Sequence, residues 1–131
     1  MSDQPKAIPY ISWWMIWLAM QAGIFGMYFV LERTPLQQPV ESPFWIAGFI
    51  PLIASSVIRW VVIPKISVPQ IAFPLFIVGI AMAEGLTFFG VFVFPAQKEL
   101  FFLLSVVGIY QFIPTFARRF YKTPEDESKF R

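Results

Sequence analysis

The sequence predicts an all-α membrane protein, with four transmembrane helices in an up-down-up-down bundle and both termini in the cytoplasm. Three observations lead there. Hydrophobic residues make up 57% of the 131-residue chain and charged residues only 14%, far from the balance of a soluble domain. The apolar residues fall into four runs, each close to the roughly 20 residues that cross a bilayer core of about 30 Å as a helix. The basic residues also alternate between loops. Lys6, Arg59, Lys65, Arg118, Arg119, Lys122, Lys129 and Arg131 flank one face, and only Arg33 and Lys98 flank the other. The positive-inside rule assigns the richer face to the cytoplasm, so the chain is expected in the cytoplasmic (inner) membrane.

The first ten residues, MSDQPKAIPY, are polar and broken by Pro5 and Pro9, and they form a short cytoplasmic segment. The transmembrane domain follows over residues 11–117, with spans at about 11–31, 44–63, 70–94 and 100–117. The first span is too long for the apolar core of a signal peptide and no A-x-A-like site follows it. Tyr10, Trp13, Trp14 and Trp17 gather at its start and Tyr28 near its end, as expected of residues that favour the headgroup levels. A polar loop, Glu32 to Ser42, leads to the second span, where Ser42 and Pro43 suit a cap and first turn and Pro51 is expected to kink the helix. The third span starts either at Pro69 or at Pro74 and stops at Pro95. After the hairpin AQKEL comes the fourth span, then the basic segment RRFYK and a charged tail, TPEDESKFR, expected to be disordered or to lie on the membrane surface.

Several function classes are excluded by what the chain lacks. It contains no cysteine and no histidine, which removes disulfides, thiolate nucleophiles, imidazole ligation and the usual zinc and copper sites. There is no phosphate-binding glycine-rich loop and no cofactor motif, and only one carboxylate lies deep in a span, so paired acid and base work has no second partner there. The net charge of +2 comes from residues beside apolar spans, where anionic lipid headgroups account for it and nucleic acid need not be invoked.

That deep carboxylate, Glu84, is the principal candidate functional residue. A charged side chain near the bilayer midplane costs a few kcal/mol or more unless it is neutral, paired or wetted. With a rise of about 1.5 Å per residue, Gln21 lies roughly 15 Å deep and Glu84 about 15 to 22 Å, depending on whether the third helix starts at Pro74 or Pro69, and Thr87 lies about one turn from Glu84 on the same face. These three are expected to form a central polar cluster, with Glu84 neutral and hydrogen-bonded to Gln21 or Thr87. Arg59, Gln111, Ser55 and Ser56 lie shallower and form a second candidate cluster. Whether Arg59 pairs with Glu84 depends on where the third helix starts: the levels differ by about 8 Å from Pro74 and by about twice that from Pro69. Otherwise Arg59 snorkels to the headgroups. Arg118, Arg119 and Lys122 are expected to touch anionic lipid.

Two weaker patterns concern packing. The small-residue pairs Ala19 and Gly23, Ala22 and Gly26, Gly79 and Ala83, and Ala81 and Gly85 favour the first and third helices as the packed centre. AMQAG in the first span echoes AMAEG in the third, and VVIP at the end of the second echoes QFIP at the end of the fourth, as in a duplicated two-helix hairpin.

The run IVGIAMAEGLTFFGVFVF, Ile77 to Phe94, resembles the carboxylate-bearing second helix of the ring-forming proteolipid subunits of rotary ATPases, in which a Glu among small residues carries the ion. The helix before it, PFWIAGFIPLIASSVIRW, lacks the alternating glycines that let those hairpins form a ring. In carrying four spans on a chain of this size, the protein also resembles small multidrug-resistance transporters, whose essential Glu lies in the first helix where Gln21 stands here. Neither family's function is carried over. The sequence leads to a non-enzymatic structural or accessory subunit that forms a homo-oligomer or joins another membrane protein. The alternative is a small oligomeric ion- or proton-coupled transporter with Glu84 as the titrating group.

Overall fold

The computed structural model describes residues 7–31, 43–94 and 97–122. The expected first loop, most of the N-terminal segment, Pro95 and the charged tail lie outside the described residues. Among those described, the secondary structure is entirely helical, and four stretches are long and apolar enough to cross a membrane: Tyr10–Leu31, Pro43–Lys65, Pro69–Val93 and Lys98–Phe120. Their α-helical parts are α1 (Tyr10–Leu31), α2 (Phe49–Val57), α3 (Pro69–Phe88) and α4 (Lys98–Tyr110).

Proline placement explains why α-helix fills only part of three stretches. Pro51 has no N–H and its ring crowds the carbonyl four residues back, at Ala47. The chain answers with a tighter 3-10 segment over Pro43–Gly48 and turns α-helical only at Phe49. Widened π-helical turns, Ile58–Val62 and Phe89–Val93, precede Pro64 and Pro95 in the sequence. Pro74 lies inside α3, which begins at Pro69, so the earlier of the two expected starts is correct. The fourth span departs most from expectation. Pro114 ends the α-helix at Tyr110, and after an extended residue, Ile113, the chain resumes as the 3-10 segment Pro114–Phe120.

The central pair is α3 and α4, each stretch about 44% buried over its most apolar window, against 17% for α1 and for α2. Both α1 and α2 pack on that pair and touch each other little. The expected centre of first and third helices is therefore corrected to third and fourth. The cause is steric: a Cβ on Gly79 would lie 2.3 Å from the Phe112 ring, and one on Gly108 would lie 2.9 Å from the Ala83 Cβ. Of the small-residue pairs, Gly79 and Ala83 are buried at this contact, whereas Ala22, Gly26 and Ala81 are exposed. The two hairpins are thus unlike: α3 and α4 pack together and α1 and α2 do not.

The main core joins Trp13, Trp17 and Ile24 of α1 to Phe76, Ile80 and Ala83 of α3, together with Ile63, Ile109, Phe112 and Ala117. A smaller cluster of Tyr28, Val91 and Phe102 closes the other end of α1, with the Tyr28 and Phe102 rings stacked at 4.0 Å. Trp13 and Trp17, expected at the headgroup level, are core residues. Trp13 is fully buried against Phe73 and Phe76 and donates Nε1–H to the Tyr121 hydroxyl, and Trp17 donates to the Ile109 carbonyl at 2.8 Å.

Candidate functional site

The polar residues collect in two places: along the central helices at mid-span, and at the end where the α2 stretch and the fourth stretch finish. In an apolar solvent each polar atom must find its partner within the protein, so the accounting of hydrogen bonds locates both.

At mid-span, Ser105 of α4 is the busiest group. Its fully buried hydroxyl donates to the Ala83 carbonyl and accepts from the Thr87 N–H at 3.1 Å. Ala83 and Thr87 are the two residues that an α-helix links by a backbone bond. Ser105 therefore inserts its hydroxyl at that rung of α3 and ties α4 to it. One turn earlier, the Ser55 hydroxyl of α2 donates to the Gly79 carbonyl at 2.8 Å, so α3 is bonded from both flanks. Ser105 was missed in the sequence, although a lone hydroxyl between Leu104 and Val106 signals a buried partner.

The Glu84 side chain takes no part in this network, although the Glu84 backbone carbonyl lies 3.5 Å from the Ser105 hydroxyl. Its carboxylate is partly exposed where α3 meets α1, with Oε1 3.7 Å from where a Gly23 Cβ would stand. Among the described residues it makes neither a hydrogen bond nor a salt bridge. The expected bonds to Gln21 and Thr87 are not formed, and Gln21 Oε1 and Thr87 Oγ1 are both buried without partners. For Gln21 the reason lies in helix geometry: at about 100° per residue, Gln21 and Gly23 point to nearly opposite sides of α1.

The second cluster is assembled by the ends of two helices. Pro64 and Pro114 each interrupt a backbone ladder, leaving carbonyls that side chains must cap. Arg59, on the α2 stretch, donates Nε–H to the Gln111 carbonyl at 2.7 Å, just past the end of α4. In return Arg119, beyond α4, donates to the carbonyls of Ile63, Pro64 and Ile66 at 2.6, 3.0 and 2.9 Å. Arg59 thus sits at the C-terminal end of α4 and Arg119 at the C-terminal end of the second stretch, where the helix dipole also favours a cation. The Gln111 side chain adds two bonds, accepting from Trp60 Nε1 at 3.0 Å and donating to Ser56 Oγ at 3.3 Å. Arg59 lies 4.3 Å from the centroids of both Trp60 and Phe116. Arg59, Gln111 and Ser56 are therefore brought together, Ser55 is turned to α3, and Arg59 does not reach Glu84. Arg118 and Lys122 are exposed.

None of the family profiles, characterised proteins or solved structures compared with the chain matches it. The four helices, long and apolar enough to cross a membrane, are compatible with a small membrane protein.

Proposed function

We propose that this chain is a non-enzymatic subunit of a membrane assembly, four spans running up and down in the cytoplasmic membrane with both termini inside, docking through the α1–α3 flank that carries Glu84. The observation that supports this most is the carboxylate itself. It stands partly exposed near mid-span, facing Gly23 of α1 and without a hydrogen-bond partner among the described residues, and added Cβ atoms on Gly26, one turn from Gly23, and on Gly85 would meet nothing within 4 Å. An intramembrane carboxylate in that position calls for a polar partner from outside the chain, and small residues around it allow a second helix to come close. A subunit with mostly uncovered α1 and α2 stretches fits the same reading. The absence of histidine and cysteine from the sequence speaks against catalysis.

The test is purification of the tagged protein in mild detergent, with the composition and size of the complex measured for wild type, Glu84→Gln and Glu84→Leu. A defined complex, with a second membrane protein or with copies of this chain, should survive Glu84→Gln and be lost in Glu84→Leu. A monomer that is unchanged in all three would overturn the proposal. The rival, a proton- or ion-coupled transporter, rests on the same open carboxylate. It predicts uptake into proteoliposomes that Glu84→Gln abolishes.

A further inference from the structure

We propose that Arg59 and Arg119 form a binding site for a phosphate group, occupied by the headgroup of an anionic lipid. The two residues line one cleft of about 190 Å³, completed by Ile63, Pro64 and Phe116, with no carboxylate among the described residues of its wall. That is more than ten times the roughly 10–15 Å³ that a single water needs. Two like charges facing one cavity repel unless an anion lies between them, and the capping carbonyls offset the charge only in part.

The donors are arranged for such a guest. Arg59 spends Nε–H on the Gln111 carbonyl, and its terminal nitrogens make no hydrogen bond among the described residues. Its guanidinium carbon lies 4.3 Å from the centroids of both Trp60 and Phe116, cation–π contacts that restrict its movement. Arg119 is fixed in turn by the three carbonyls it caps, so both cations are held in place before a ligand arrives. A free phosphate and a lipid phosphate present the same oxygens to this fork. The surroundings favour the lipid. Val57, Trp60 and Val61, on the same stretch as Arg59, are exposed apolar residues along which acyl chains can lie. A basic pocket between spanning helices at a membrane face is a recognised headgroup site.

The site is tested by thermal unfolding of the purified full chain in neutral maltoside detergent, titrated with phosphatidic acid, phosphatidylcholine or inorganic phosphate. Phosphatidic acid should raise the melting temperature saturably and phosphatidylcholine should not, because a ligand of the folded state stabilises it by mass action. Arg59→Gln should weaken the apparent affinity about tenfold, the scale of one lost charge-assisted hydrogen bond. Arg118→Gln and Lys122→Gln should leave it unchanged, since neither residue lines the cleft. Should Arg119→Gln fail to fold, Arg119→Lys keeps the charge without the fork and should also weaken binding. Equal stabilisation by inorganic phosphate at the same concentrations would support the site and assign it to free phosphate. Stabilisation that persists undiminished in Arg59→Gln, or falls as much in Arg118→Gln, would show diffuse attraction to the basic segment and overturn the site, as would no stabilisation by either phosphate compound.

Discussion

Glu84 and Gly79, five residues apart on α3, show how differently two neighbouring positions are constrained. The Gly79 position is closed: its carbonyl receives Ser55, and Phe112, fully buried, occupies the space where a side chain would go. Gly79→Ala should therefore destabilise the protein in detergent by about 1–3 kcal/mol, the usual cost of overpacking, with a clear fall in melting temperature. Gly85→Ala, where an added Cβ meets nothing within 4 Å, is the control and should change stability by no more than about 0.5 kcal/mol. The Glu84 side chain makes no bond among the described residues, so Glu84→Gln and Glu84→Leu should both leave the melting of the isolated chain nearly unchanged. The expected bond to Gln21 or Thr87, which leucine would have removed, is not formed. Ser105→Ala should cost about 0.6 kcal/mol, the average for hydrogen bonds between membrane helices, and no more than about 1.7, because the rung it bridges can partly close on itself.

At the scale of elements, the matching Ile-Pro ends of the second and fourth stretches are the feature with most physical content. Each proline stops a ladder, and each end is capped by an arginine from the other stretch: Arg59 on Gln111, and Arg119 on Ile63, Pro64 and Ile66. The echo of VVIP and QFIP in the sequence thus marks two helix ends that clasp one another, even though the hairpins they close pack differently. Removing three charge-assisted bonds at a partly exposed place, Arg119→Ala should lower stability by about 1–3 kcal/mol, and Arg59→Ala by less. Because both arginines serve one clasp, the double variant should lose less than the sum of the singles. A double-mutant cycle on detergent melting measures this coupling.

For the whole molecule, the basic residues predict the orientation. A cytoplasm-active reporter fused after Arg131 should work, and one inserted near Gln37 should not; activity in the reverse pattern would refute both the orientation and the placing of Arg59 and Arg119 at the cytoplasmic headgroups. What the sequence determined by itself was the class: four helical spans, their approximate bounds and the choice of proline as their punctuation. Those are local properties, since in lipid a run of about 20 apolar residues can satisfy its backbone only as a helix, whatever surrounds it. It also grouped Arg59, Gln111, Ser55 and Ser56 by similar depth on the second and fourth spans, a matter of counting residues; three of them meet, and Ser55 bonds α3 instead. Only the tertiary structure decided which faces meet. Spans that are apolar all round carry no stripe to mark the buried side, so nothing local separates the buried Trp13 and Trp17 from the exposed Met15 and Leu18. The fit of Phe112 against Gly79 and of Gly108 against Ala83 made α3 and α4 the centre, and that choice turned Gln21 away from Glu84 and left the carboxylate on the flank.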